Sequence, residues 1–195
     1  MVRQRYATGT RPSPSVTSGT SLSADLARRM RHIGQTATMR RTWRAEEFDL
    51  LSPTVMKRWS GFLHEEGDRR WFPNLIGIEV EELRRDYARL SLPSRHDLNE
   101  PSGLMHAGVI ATLIDTTVVP AIGTAYTDDR PFSTIEMSVR YLQPVRQEDL
   151  VAEGWVTRRG KRVVFCEVEV CTASGVLVAD GHLIYVVGSP PPPPE

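Results

Sequence analysis

Hydrophobic and polar positions divide the chain into stretches of different period. Residues 1–21 carry no period, and Pro190 to Pro194 form an unbroken proline run, so both ends are read as arms outside a packed core, the second in a polyproline conformation. Leu22, Leu26, Met30 and Ile33 fall at the spacing of one face of a short helix, and Phe48 to Leu63 holds a second helical pattern punctuated by Pro53. From Leu75 the period becomes two. Ile76, Ile78 and Val80 alternate with Gly77, Glu79 and Glu81, and Ala88, Leu90 and Leu92 alternate with Arg89 and Ser91, which predicts a β-hairpin turning near Arg84 and Asp86.

After a polar loop, Leu104 to Gly123 returns to helical spacing. Val109, Ile110, Ala111, Leu113, Ile114, Val118, Val119, Ala121 and Ile122 cover nearly all sides of that helix, so it is expected to be buried. Four strands follow, near Phe132 to Leu142, Asp149 to Arg158, Arg162 to Thr172 and Val176 to Val187, the last three joined by short turns at Gly160 and Gly175 that exclude parallel crossovers. In the first of these, Ile135, Met137, Val139 and Tyr141 point one way and Thr134, Glu136, Ser138 and Arg140 the other, so one face is expected to pack on something apolar. The order β-β-α-β-β-β-β predicts an α+β fold, a curved antiparallel sheet wrapped around one long central helix. The expected organisation is a basic, disordered arm over 1–45, a helical segment over 46–73, the sheet-and-helix domain over 74–188 and a proline-rich tail over 189–195.

Composition adds limits. No run approaches the roughly 20 apolar residues of a membrane-spanning helix, and the N-terminal 23 residues lack the apolar core of a secretory signal, so a cytoplasmic protein without membrane contact is expected. The zero net charge is uneven: residues 1–45 carry nine arginines and one acid, Asp25, a balance of +8 against −8 for the remainder. A basic arm of this kind could touch nucleic acid, but its Ser, Thr, Pro and Arg content fits a solvated extension, and no nucleic-acid contact is expected. Cys166 and Cys171 lie five apart in one strand, facing opposite sides, and read as free thiols. No close ligand pair of a metal site occurs among the cysteines and histidines, and no metal or cofactor is expected.

Candidate chemistry concentrates in the central helix. Gly108, Thr112, Asp115 and Thr116 form a polar seam at i, i+4, i+7 and i+8, in which Asp115 is the only charge. A carboxylate buried there suits either a general base or a structural hydrogen-bonding group. Pro120 removes a helical hydrogen bond within about a turn of the acid and is expected to kink or end the helix, with Gly123 as terminator. At the other end His106, Ala107 and Gly108 begin the helix, so their backbone N–H groups face outward and could bind a developing oxyanion.

The run Asn99, Gly103, Leu104, His106, Ala107, Gly108, Ala111, Thr112, Leu113 and Asp115 resembles the signature of the phenylacetic-acid-degradation type of hotdog-fold thioesterases, in which an Asp follows the His by nine residues. The likeness continues through Thr134, Val139, Tyr141, Pro144, Gly160, Gly175, Leu177, Val178 and Ala179. It implies hydrolysis of acyl-CoA thioesters, with Asp115 as base or nucleophile, the Ala107 N–H at the oxyanion position, and Asn99, His106 and Thr134 orienting water, substrate or the helix start. Ala107 stands where the family has its first glycine, and Asn99 lies one residue farther from the His than is usual. The resemblance also implies a dimer or a dimer of dimers.

Geometry leads to the same assembly. Ala107 and Asp115 are eight residues apart, about 12 Å along a helix, so if both act on one carbonyl they come from different chains. Arg158, Arg159, Lys161 and Arg162 place four cations in one turn, which could meet the phosphates of CoA or be a solvated hairpin tip. His64, His96 and His182 have no evident partner and are assigned no role. The alternative to an enzyme is an acyl-CoA-binding regulator whose arm contacts nucleic acid.

Overall fold

The computed structural model describes residues 44–63 and 71–190. The helix expected over Leu22 to Ile33, most of the basic arm, His64 and the end of the proline run lie outside them. The segment before the sheet forms a 3-10 turn, Arg44–Glu47, and two short helices, α1 (Pro53–Trp59) and α2 (Phe72–Ile76). Pro53 opens α1, where its missing N–H costs nothing, and Ser52 caps it by accepting from the Val55 N–H. The helical pattern expected over Phe48 to Leu63 is therefore confined to its middle, Pro53–Trp59.

Six strands follow: β1 (Glu79–Arg84), β2 (Tyr87–Leu92), β3 (Phe132–Tyr141), β4 (Leu150–Arg159), β5 (Val163–Thr172) and β6 (Leu177–Val187), with the long helix α3 (Ala107–Gly123) between β2 and β3. They form one antiparallel sheet in the order β1-β2-β4-β5-β6-β3. Every connection from β3 onward runs between antiparallel strands, and β3, arriving from the helix, takes the far edge beside β6. The sheet's inner face, with Ala88, Leu90 and Leu92 on β2 and Val164, Cys166, Val168 and Val170 on β5, packs on Leu113, Ile114, Val118, Ala121 and Ile122 of α3. Helix and sheet approach most closely where the sheet has no side chain. A Cβ on Gly181 would lie 2.7 Å from Ile114 Cγ2, and one on Gly154 2.9 Å from Thr117 Cγ2.

The outer face is covered in part by the chain entering the domain. Glu153, 1 % exposed, accepts from the Tyr87 hydroxyl at 2.6 Å and the Arg44 N–H at 2.8 Å, while Phe48 stacks on Tyr87 and the Arg44 guanidinium lies over Trp155.

Several expectations need correction. Leu75 and Ile76 end α2, which Gly77 stops in the left-handed region, and β1 begins only at Glu79. A bulge between Val80 and Glu82 then shifts the alternation, so Leu83 is buried while Val80 is exposed. Leu104 precedes the helix, because Met105 bridges back to Asn99 as a short antiparallel pair before α3 starts at Ala107. Pro120 does not end the helix, which runs three residues further to Gly123. Nor does Gly123 serve as a left-handed terminator: the cap is Thr124, right-handed, and a Cβ on Gly123 would collide with the Trp59 ring, so the glycine makes room for α1. The helix is not covered on all sides, since His106, Ala107 and Gly108 are exposed and Ala111, Thr112, Asp115 and Val119 are half-buried. The apolar face of β3 is likewise uncovered within one chain: Ile135, Met137 and Tyr141 are exposed.

Candidate active site

The open stripe of α3 carries the polar seam. Asp115 is half-buried rather than fully buried, with its carboxylate fixed by two hydroxyls from the sheet edge. The Tyr185 hydroxyl donates to Oδ1 at 2.5 Å and the Thr134 hydroxyl to the same oxygen at 3.0 Å. The two donors sit side by side because Thr134 and Tyr185 are register partners across β3 and β6. A second contact ties Tyr185 to the Asp115 backbone carbonyl at 3.2 Å. Burial, and then the bond to Asp115, pushes the Tyr185 phenol well above its ordinary value, so it remains a proton donor through the neutral and alkaline range. One carboxylate oxygen is thereby anchored, and Oδ2 has no partner among the described side chains.

The helix start is organised by its own cap. His106 has extended backbone dihedrals and accepts from the Gly108 N–H through Nδ1 at 2.9 Å, and its carbonyl accepts from Val109 at 3.0 Å. Of the first-turn donors this leaves the Ala107 N–H without an intrahelical partner, aimed along the helix axis where the macrodipole favours negative charge. The Tyr141 hydroxyl, from the end of β3, donates to the Ala107 carbonyl at 3.0 Å. Thr112 uses its hydroxyl on the Gly108 carbonyl at 2.8 Å. Asn99 reaches the same region through its bridge to Met105 and the bond from the His106 N–H to the Leu98 carbonyl, and its Oδ1 is buried with no donor among the described residues. Thus Asp115 and Thr134 are brought together, and Asn99, His106, Ala107 and Gly108 are brought together about two turns away along α3.

The four cations of the β4–β5 turn do not act alike. Arg159 is half-buried and engaged: it donates to Asp86, to the Tyr126 hydroxyl at 2.8 Å and to the Ile122 carbonyl at 3.1 Å, tying the end of α3 to the β1–β2 turn. It does not project as a phosphate ligand. Arg158, Lys161 and Arg162 are exposed. Both cysteines are buried, and burial, opposed in part by Arg159, pushes the Cys166 thiol up to about 12, so no thiolate nucleophile is available there. Among the described residues no group of three or more His, Cys, Asp or Glu could hold a metal ion, and no helix is long and apolar enough to cross a membrane.

A cavity of about 620 Å³ opens beside Asp115. Phe62, Leu63, Trp71 and Phe72, from the segment before the sheet, face Ala111, Thr112, Asp115 and Val119 of α3 across it.

The model of the thioesterase superfamily matches residues 102–179, from the loop before α3 to the beginning of β6. A putative esterase of Halobacterium salinarum is 32 % identical over 114 residues, which span 55 % of this chain and 74 % of that protein. The chain belongs to the thioesterase superfamily. Its sheet and helix are the hotdog fold of that superfamily, and thioester hydrolysis is its activity in general terms. The medium/long-chain acyl-CoA thioesterase YigI of Escherichia coli is similar to this superfamily member at 26 % identity over 132 residues, 60 % of this chain and 85 % of that one. The structure of the Escherichia coli PaaI protein from the phenylacetic acid degradation operon superposes with a TM-score of 0.64 at 15 % identity, covering 72 % of this chain and 97 % of that one, a likeness of fold.

Tyr185, Tyr141 and the aromatic wall of the cavity were absent from the sequence-derived candidates. Tyr185 could have been found only by pairing β6 with β3, since it stands 70 residues from Asp115. Tyr141 lay in the expected apolar face of β3, where alternation gives no hint of a hydroxyl reaching the helix start.

Proposed function

We propose that this chain hydrolyses acyl-CoA thioesters to the free acid and coenzyme A. The observation that carries the reading is the Asp115 carboxylate, with one oxygen held by two donors and the other unclaimed at the wall of an apolar cavity. Oδ2 takes a proton from water while the water oxygen attacks the thioester carbonyl, or attacks the carbonyl itself to give an anhydride that water then opens. In either case the carbonyl oxygen gains negative charge, the carbon–sulfur bond breaks, and the leaving thiolate recovers a proton. The developing oxyanion is stabilised by the Ala107 N–H at a helix N-terminus. Since about 12 Å of helix separate the two groups, Asp115 and Ala107 at one site belong to different copies of the chain. The open stripe of α3 and the uncovered apolar face of β3 support that assembly. Thr134 positions Asp115, His106 and Asn99 shape the helix start, Gly108 lets substrate approach, and the exposed Arg158, Lys161 and Arg162 are available to CoA phosphates.

Thiol release from a panel of acyl-CoA esters, followed with a chromogenic thiol reagent, tests the activity. Asp115→Asn preserves shape but removes the base, so kcat is expected to fall at least about 100-fold with the fold intact. Near-normal turnover in the folded variant would remove Asp115 from the mechanism.

A further inference from the structure

Resting on that reading, we infer that the segment before the sheet, through Phe62, Leu63, Trp71 and Phe72, builds an acyl-chain pocket that selects uncharged, apolar acyl groups longer than acetyl. Three observations lead there. The cavity is walled on one side by these four side chains and floored by Val119, so carbon surrounds it beyond the polar seam. Of the polar side chains on its wall, Thr112 already donates to Gly108 and Oδ1 of Asp115 is doubly held, which leaves the Thr116 hydroxyl and the Asp115 Oδ2, and of these two Oδ2 is the one that can act as base or nucleophile on the reacting carbonyl. At about 620 Å³ it is far larger than an acetyl group needs and within the range of small-molecule sites.

The chemistry follows from these walls. A thioester carbonyl placed at Asp115 sends its acyl chain against aromatic and aliphatic surface, and each buried methylene strengthens binding. A second carboxylate on the acyl group would be stripped of water among apolar side chains and would lie near Asp115, a like charge. The four wall residues lie before residue 102, outside the part of the chain that the superfamily model matches. The aromatic part of the wall that selects the acyl chain is therefore supplied by a segment distinct from the one that supplies the reacting groups.

The test compares kcat/KM for acetyl-, butyryl-, octanoyl-, decanoyl- and succinyl-CoA. The expected rise is about fourfold for each added methylene until the cavity is full, corresponding to ~0.8 kcal/mol per methylene. Succinyl-CoA should fall at least tenfold below butyryl-CoA. Val119→Phe takes room from the floor and should lower the decanoyl-to-butyryl ratio of kcat/KM at least tenfold. Because Val119 also packs on the core, Gly61→Phe serves as a second variant: Gly61 borders the cavity, and an added Cβ there meets nothing within 4 Å. It should shift the ratio in the same direction with an unchanged unfolding midpoint. Calorimetric titration of the wild type and Gly61→Phe with S-butyl- and S-decyl-CoA thioethers, which cannot be hydrolysed, separates the pocket from the reaction. Tighter binding of the decyl thioether, lost in Gly61→Phe, upholds the pocket even if no ester is hydrolysed, an outcome that would overturn only the hydrolase reading. Equal affinities for the two thioethers, with a length-independent kcat/KM, would overturn the pocket while leaving hydrolysis in place.

Discussion

Replacing Tyr185 with Phe removes one hydroxyl and nothing else. The ring is 2 % exposed and sits in the core beside α3, so Phe fills the same volume and the fold should hold. What is lost is the 2.5 Å bond to Oδ1 of Asp115 and the weaker one to its carbonyl. A hydrogen bond to a charged group contributes ~1.5–3 kcal/mol. Thr134 still holds the same oxygen at 3.0 Å, so the carboxylate is loosened rather than released and the lower end applies. At ~1.4 kcal/mol per tenfold, that is about a tenfold loss in kcat. KM should hardly move, because Tyr185 is not among the residues lining the cavity that would take the acyl chain. The phenol stays protonated throughout the neutral range, so the loss should be the same at pH 6 and pH 9. Steady-state thiol release measures both constants, and the variant should also be made in the Asp115→Asn background. There it should cost less than twofold, since a positioning residue has nothing left to position. An equal loss in that background, or a kcat within twofold of wild type in the folded single variant, would refute the role.

Two further outcomes follow from the site. Replacing Arg158, Lys161 and Arg162 together by Ala should raise KM for acyl-CoA several-fold with little change in kcat, whereas Arg159→Ala should instead destabilise the fold by ~1–3 kcal/mol through its lost bonds to Asp86, Tyr126 and the Ile122 carbonyl; KM titrations and thermal unfolding tell the two patterns apart. Refolding an Asp115→Ala variant together with an Asn99→Ala variant should restore about a quarter of wild-type activity if each site takes its acid from one copy and its helix start from the other, and confirmed mixed dimers that recover nothing would place both residues in one chain.

Much of this fold was legible because its signals are local. Strand boundaries from Phe132 to Val187 agree with the expected ones to within a residue or two, since alternation and the glycine turns act over a few positions. The helix through Asp115 and its start at His106 were legible for the same reason; Thr134 entered through the family resemblance as a group orienting water, substrate or the helix start, and its bond to Asp115 was not foreseen. The errors arise where tertiary contacts override the local rule. Gly123 reads as a terminator until Trp59 is seen against it. The alternation of Ile76, Ile78 and Val80 reads as one strand until the Gly77 turn and the bulge after Val80 divide it. Arg159 reads as one of four equal cations until Asp86, in the left-handed region at φ 63° on a distant turn, takes its guanidinium.

The helix itself joins fold to function. Its composition reads as apolar on nearly every side, yet one chain covers only part of it, and the stripe left open carries Ala107, Thr112 and Asp115. A helix so apolar with an open side is costly unless something else covers it: a second copy along the β3 edge, the acyl chain of a substrate in the cavity, or both at once. The same stripe explains why Asp115 needs two donors from the sheet. Burying a carboxylate beneath the proposed acyl chain is costly unless fixed hydrogen bonds replace the departing water, and Tyr185 and Thr134 are already in place to supply them. Their convergence on a single oxygen, rather than one on each, leaves the other oxygen without a side-chain donor among the described residues, as the proposed attack on water or the thioester carbon requires.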